Sequence, residues 1–402
     1  DSRKAENREM FSERITGSLA AGSSIRAMFE QGNRLKKQYG EENVYDFALG
    51  NPDPEPPASV LEDLKRLVSE PGIHKYMPNA GFPDVRAKIA AYLKKETNVD
   101  FTENHIMMVT GAAAGLSVTM DSLLNPGDEV IVIAPFFGEY KGYVTNFGGK
   151  IVPVPALPGT FGLDVPAIEK AITSKTKAMI LNSPNNPSGA VYDEASLKAL
   201  NAALERAEAA FGEPVYVVSD EPYVKIVYDG VKVPAMSAIF KNSIIVNSFS
   251  KSLALPGERI GYVAVNPQIR NADILMDALI FCNRTLGFVN APGLFQKVVA
   301  DHLEDVAGLE AYRERRDALY EILMDTGYEC VLPKGAFYLF PRSPIEDDVA
   351  FCDLALKHRL VIVSGSGFGY PGYFRLAYCV DRKTIQNSKD AFAALRKEAL
   401  GK

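Results

Sequence analysis

Only four cysteines and four histidines occur among 402 residues, and tryptophan is absent. Cys282, Cys330, Cys352 and Cys379 show no CxxC spacing, which argues against a disulfide framework or a zinc-ribbon signature. They are expected to be reduced thiols in the core or at its edge. His74, His105, His302 and His358 are scattered, so no metal site is expected. No apolar run is long enough to cross a bilayer. Nor is a secretory leader expected, which favours the cytoplasm. Lys and Arg (44) do not outnumber Asp and Glu (50), and a net charge of −6 without a basic cluster argues against broad nucleic-acid binding. Repeats and low-complexity stretches are missing.

What is present is a globular composition, 47% hydrophobic and 23% charged, in a chain too long for one typical domain. Strands alternate with helices from about Val109 to Val265. Examples are Val130–Ala134, Ile151–Val154, Ala178–Leu181, Val215–Ser219 and Ile244–Asn247. Alternation of this kind predicts an α/β fold, a mostly parallel sheet wrapped by helices. Ser12–Tyr39 reads as helical, with Gly22-Ser23-Ser24 starting a helix that carries Ile25, Met28 and Phe29 on one face. A long charged helical stretch is expected over Gly293–Thr326, with Arg313, Arg315 and Arg316 on its solvated face. A small α+β part follows: Ala336–Pro341, a helix near Val349–His358, Leu360–Val363, Tyr373–Tyr378 and a last helix from Lys383. The expected division is a large domain over 48–292 and a small domain made of 1–47 with 293–402.

Four segments carry chemistry. In Asn247-Ser248-Phe249-Ser250-Lys251, a lysine follows the apolar strand Ile244-Ile245-Val246, and Pro256-Gly257-Glu258-Arg259 comes after it. An ammonium at the end of a buried strand is costly to desolvate. A lysine joined to an aldehyde cofactor as a Schiff base avoids that cost. Ser248, Ser250 and Arg259 would then hold a phosphate, and the combination points to pyridoxal phosphate. Asn182-Ser183-Pro184-Asn185-Asn186-Pro187-Ser188-Gly189 is a rigid turn after a strand, able to present the Asn186 amide. Val215-Tyr216-Val217-Val218-Ser219-Asp220-Glu221-Pro222-Tyr223 ends a strand in an acid, where ligands bind in open α/β sheets. Asp220 there can pair with a protonated pyridine nitrogen. In Val109-Thr110-Gly111-Ala112-Ala113-Ala114, small residues open a helix whose bare N–H groups attract phosphate. Alone, each segment also has an ordinary reading: a loop lysine, a polar turn, an Asp N-cap, a small-residue strand-to-helix turn.

Together these motifs resemble the fold type I pyridoxal-phosphate enzymes, in particular the class I/II aminotransferases of the aspartate aminotransferase family. The resemblance runs from about Phe47 to Asp381, with motif order and spacing in agreement. It implies a seven-stranded, mostly parallel sheet and pyridoxal 5'-phosphate as cofactor. By this likeness Lys251 carries the cofactor and shuttles the proton, while Asp220 meets the pyridine nitrogen. Tyr223 and Asn186 bond the ring's phenolic oxygen. Ser248, Ser250 and Arg259, with the backbone at Ala112, Ala113 and Ala114, hold the phosphate. Phe137 matches the ring-stacking position, often a tryptophan in the family; Phe136 beside it reads as core. Tyr76 matches a tyrosine that reaches the phosphate in the neighbouring subunit, which implies a homodimer with shared sites. Gly50 matches a glycine beside the substrate, and Arg375 the arginine that grips the substrate α-carboxylate through a two-pronged fork. The chain departs from the family at Ala112-Ala113-Ala114, where a hydroxyl or a lysine is frequent, so backbone N–H groups must suffice. Gly365-Ser366-Gly367-Phe368-Gly369 imitates half of a dinucleotide fingerprint. Pro371 and Gly372 preclude a following helix, and the loop reads as the turn that feeds Arg375 into the site.

The expected reaction is amino-group transfer between an L-amino acid, with L-aspartate first, and a 2-oxo acid such as 2-oxoglutarate. An aromatic or other neutral donor is second. A dicarboxylic donor needs another cation, with Arg284 and Arg26 as candidates. The nearest rival is a carbon–sulfur β-lyase using the same lysine. An amine-specific transferase is opposed by Arg375. An effector domain of a transcription regulator would need a DNA-binding module, for which the segment before Phe47 is too short and insufficiently basic.

Overall fold

The computed structural model describes residues 11–21 and 24–401. Its strands, in chain order, are β1 (Tyr45–Asp46), β2 (Ile106–Val109), β3 (Glu129–Ala134), β4 (Lys150–Pro155), β5 (Thr176–Asn182), β6 (Tyr216–Asp220), β7 (Ser243–Ser248) and β8 (Gly261–Val265). The remaining ones are β9 (Tyr338–Leu339), β10 (Leu360–Val361), β11 (Val363–Ser364) and β12 (Phe374–Ala377). Seven of them form one sheet in the order β2-β8-β7-β6-β5-β3-β4. Only β8 runs against the others. Strands such as Val130-Ile131-Val132-Ile133 are apolar throughout because helices cover both faces of the sheet.

The chain leaves β3 for β4 on one side and returns to β5 on the other, so a switch point lies between β3 and β5. Ligands bind beyond the carboxyl ends of strands at such points. Because β8 is reversed, the residues just before it lie at that same end, beside the end of β7. A three-stranded antiparallel sheet, β11-β12-β9, and the parallel pair β1-β10 stand apart from the large sheet. The β1-β10 pairing, Tyr45 to Leu360 and Asp46 to Val361, ties the N-terminal segment to the C-terminal part.

The N-terminal helices are Glu13–Ala21 and Ser24–Tyr39; Gly22 and Ser23, expected to start the second, lie outside the described residues. The expected single helix over Gly293–Thr326 is two, Gly293–Val299 and Leu309–Asp325. The break has a long-range cause. His302 is buried in the turn, bonded through Nδ1 to Asp305 and through Nε2 to Asp63, and Gly308 at φ 67° starts the second helix. The solvated face expected for its arginines holds only for Arg313. Arg315 reaches Asp53 at 2.7 Å. Arg316 is buried over the Tyr228 ring, pairs with Asp229 and Asp317, and donates to the Pro333 carbonyl.

Candidate active site

At the carboxyl edge of the large sheet lies a cavity of about 280 Å³. The parallel strands β2, β3, β5, β6 and β7, or the segments just after them, deliver parts of its wall; β4 does not. Helix Ala112–Leu123 follows β2 through Gly111, at φ 86°, and has no side-chain cap. The first N–H groups of such a helix have no partner within it. Ala112 and Ala113 line the cavity; Ala114, one residue deeper, is buried and does not. A Cβ on Gly111 would stand 2.5 Å from Nη2 of Arg259, so the glycine allows the guanidinium to approach the helix start. Arg259 precedes β8 in a left-handed conformation (φ 52°), and its Nη1 donates to the Pro256 carbonyl at 2.9 Å. Ser248 ends β7, and Ser250 and Lys251 lie in the turn beyond it; all three line the cavity.

Lys251 Nζ donates to the Gly50 carbonyl at 2.7 Å and stands 5.5 Å from the Phe337 ring. Burial, with the nearby Arg375 and Arg259 charges, lowers its pKa to about 8. A desolvated amine of that kind can act as nucleophile or base. Asp220, the last residue of β6, is buried, and burial raises its carboxyl pKa to about 6 against a lowering hydrogen bond from Tyr140. That bond, Tyr140 Oη to Asp220 Oδ2, is 2.5 Å long. Asp220 Oδ1 is buried with no partner.

Asn186 and Arg375 meet directly. Arg375 Nη1 donates to Asn186 Oδ1 at 2.9 Å, and Nη2 donates to the Ala48 carbonyl. Its Nε is buried without a partner. The guanidinium lies against the Tyr338 and Phe368 rings, at 4.5 and 4.9 Å, and burial lowers its pKa. The Gly-rich loop forms a short turn over Gly365–Phe368, anchored by Ser366 on Asp348, and leads into β12, where Arg375 sits opposite Val363. Tyr223 Oη and Tyr338 Oη are 2.8 Å apart, and burial raises both phenol pKa values. Gly50 is required here, since a Cβ would stand 2.0 Å from Tyr338 Oη.

These residues fit pyridoxal 5'-phosphate. A buried carboxylate with one unpartnered oxygen and a lysine of lowered pKa line one cavity, together with an uncapped helix start beside an arginine. The chain belongs to the class I and II aminotransferases. The family model matches residues 42–392. A crystal structure of an amino transferase from Eubacterium rectale superposes with a TM-score of 0.94 at 41% identity, covering 96% of this chain and 98% of that one. A probable aspartate/prephenate aminotransferase of Thermus aquaticus is 34% identical over 86% of this chain and 90% of its own length. An aromatic-amino-acid aminotransferase of Thermococcus litoralis is 31% identical over 94% and 96%. This aminotransferase is therefore a pyridoxal-phosphate-dependent transaminase of fold type I, acting on amino and 2-oxo acids.

Of the residues picked from sequence, Gly50, Ala112, Ala113, Phe137, Asn186, Asp220, Tyr223, Ser248, Ser250, Lys251, Arg259 and Arg375 share this one cavity. Tyr76 does not; it is 92% exposed on a separate groove with Met77, Phe288 and Phe295. Arg26 and Arg284 do not line the cavity either. Arg26 pairs with Glu30, and Arg284 lies over Phe281. Sequence reasoning missed Tyr140, Tyr338, Leu49 and Ile25. Tyr140 had a signal, three residues after Phe137 in the segment that follows β3. Tyr338 and Ile25 come from distant segments and had none. Among the described residues no helix is long and apolar enough to cross a membrane, and no His/Cys/Asp/Glu group could hold a metal.

Proposed function

We propose that the chain moves an amino group from an L-amino acid to a 2-oxo acid, with Lys251 as covalent anchor and proton carrier. The single observation that supports this is the convergence of Lys251, Asp220 and Arg375 on one cavity. When bound, pyridoxal 5'-phosphate supplies an electron sink for the pair left on the donor's α-carbon. Asp220 Oδ1 would meet its ring nitrogen, Tyr223 and Asn186 its phenolic oxygen, and Phe137 its face. Ser248, Ser250, Arg259 and the N–H groups of Ala112–Ala114 would hold its phosphate. Lys251 Nζ, neutral in part near pH 7 because its pKa is about 8, takes the proton from the donor's α-carbon. Arg375 grips the α-carboxylate and fixes that carbon's position, a fork suited to two parallel hydrogen bonds.

L-aspartate is the first donor in this reading, supported by the name of the Thermus aquaticus relative, with 2-oxoglutarate as the acceptor. A neutral or aromatic donor is the second. Ile25, Leu49 and Tyr338 favour it, since they give the cavity an apolar wall, and the described cations lining it are Lys251, Arg259 and Arg375. The name of the Thermococcus litoralis relative points the same way. The exposed Tyr76 supports a homodimer in which it serves the partner's site. We also propose a large domain over 48–292 and a small one joining 1–47 to 293–402. A cytoplasmic setting is supported by four unpaired cysteines.

Adding single amino acids to the holoprotein without an acceptor, while following visible absorbance, tests the reading. Loss of the lysine-linked band with release of oxaloacetate from L-aspartate is expected. Bleaching by a neutral amino acid selects the second donor. Pyruvate and ammonia from cystathionine, with no bleaching by any amino acid, would move the protein to the β-lyases.

A further inference from the structure

His302 lies outside the cavity, in the turn between helices Gly293–Val299 and Leu309–Asp325, with its ring buried. Carboxylates meet both of its nitrogens. Nδ1 stands 2.6 Å from Asp305 Oδ2, and Nε2 stands 2.8 Å from Asp63 Oδ2. A carboxylate only accepts, whereas a neutral imidazole has one N–H and one bare nitrogen. A neutral ring would set a lone pair against an oxygen on one side, so the geometry requires an imidazolium donating from both nitrogens. His302, and after it Arg66 at 3.0 Å, lower the pKa of Asp63 and keep it ionised. Burial lowers the His302 pKa, but the bonds to Asp305 and Asp63 outweigh it, and the net shift from 6.5 is upward.

The turn fastened in this way touches both halves of the site. Ala307 N–H donates to the Ser252 carbonyl at 2.7 Å, one residue beyond Lys251. Gly308 packs on Pro54 so closely that a Cβ would stand 2.2 Å from the proline ring. Asp63 sits on helix Ala58–Leu67, which the chain enters from the loop that begins at Gly50. The Gly50 carbonyl in turn accepts from Lys251 Nζ at 2.7 Å.

We propose that His302 is a positioning residue: as an imidazolium donating to Asp63 and Asp305 it clasps the turn 300–308 to helix Ala58–Leu67, and through that turn holds Gly50 and Lys251 in register. The second half of the inference rests on the reading of Lys251 given above. The charged groups on the elements around the ring are Asp63 and Arg66 on helix Ala58–Leu67 and Asp301, Glu304 and Asp305 in its own turn. Lys88 and Lys95 on helix Pro83–Thr97 pair with Asp301 and Glu304, Lys297 pairs with Asp84, and the Asp305 charge acts on Lys225. Because the folded pKa of the ring is raised, the clasp contributes fully below about pH 6.5 and is lost as pH rises through the folded value.

The test uses the holoprotein, with His302→Gln beside the parent. Nitrogen–proton NMR of the parent reads the four histidine rings, assigned with His74→Gln, His105→Gln and His358→Gln. The His302 ring is expected to carry two protons at pH 7 and to titrate above 6.5. A ring that titrates at or below that value overturns the proposal, whether or not His302→Gln folds. At pH 6, His302→Gln should melt below the parent and lose about tenfold in kcat/KM, the scale of a hydrogen bond to a charged group. Both gaps should close as pH rises through the His302 titration. Gaps that do not change with pH would make His302 a packing residue and overturn the inference. A melting gap of the expected form with unchanged kcat/KM would show that the clasp does not act on the site, and the positioning role fails. If borohydride reduction does not fix the cofactor to Lys251 in the parent, it is the reading of Lys251 that fails, while the NMR titration still judges the clasp.

Discussion

Arg375 Nη1 and Asn186 Oδ1 lie 2.9 Å apart, so the proposed carboxylate fork and the proposed ligand of the cofactor oxygen form one bonded unit. Their segments are 189 residues apart in sequence. Asn186→Ala should therefore disturb substrate as well as cofactor. A raised KM for the amino acid, together with a shifted visible band, is expected from steady-state kinetics and a spectrum. The loss in kcat/KM should be about tenfold or more, the scale of a hydrogen bond to a charged group. An unchanged KM would separate the two roles.

Lys251→Ala should abolish transamination and the covalent cofactor link. Borohydride reduction followed by peptide mass spectrometry should find the cofactor on Lys251 in the parent and on no lysine in the variant. Reduction onto another lysine would overturn the assignment.

Gly111→Ala puts a Cβ where Arg259 Nη2 now lies and forces an L-residue to φ 86°. Displacement of the guanidinium should weaken cofactor retention, measured by dialysis, more than it lowers the melting temperature. Equal retention would mean that Arg259 is dispensable for the phosphate.

The buried Asp220 makes the cofactor-free protein pH-sensitive in a defined direction. Its folded pKa is raised from 3.8 to about 6. Between these values the folded state binds more protons than the unfolded chain, so stability falls as pH rises, and the penalty is complete above about pH 6. Asp220→Asn, which can still accept from Tyr140, removes the penalty. Urea unfolding of the cofactor-free variant should show a gain of at most roughly 3 kcal/mol at pH 7, vanishing below about pH 4. A destabilised variant at pH 7 would contradict the desolvation argument.

Tyr76 gives the subunit prediction. If it serves a partner's site, Tyr76→Ala and Lys251→Ala chains, each poorly active alone, should regain activity on mixing. Exchange leaves some sites with both native residues. Sedimentation should give a dimer for all three proteins, and mixtures with no gain would place Tyr76 outside the site.

Much of this was legible in the sequence, for local reasons. Each strand of the large sheet is a short apolar run, and the polar residues that follow, Asp220 after Val217-Val218 or Ser248 after Ile244-Ile245-Val246, mark its ligand-binding end. What escaped depended on distant partners. The turn that splits the helix after Val299 is fixed by His302 bonding Asp63. Arg316 looks like a surface charge until Asp229, Tyr228 and the Pro333 carbonyl surround it. Ile25 and Tyr338 reach the cavity from the two ends of the chain, and no local pattern marks either of them.

The reversed strand β8 bears on how the site can vary. Its hairpin with β7, in the register Ser248 to Gly261, carries Lys251, the proposed anchor, with the Ser248 and Ser250 hydroxyls and Arg259 on a single bend of chain. A residue added or lost inside that bend would shift Lys251 against Arg259 while both strands stayed paired. Length there is as constrained as residue identity, whereas the exposed stretch 157–160 beyond β4 is free to grow or shrink.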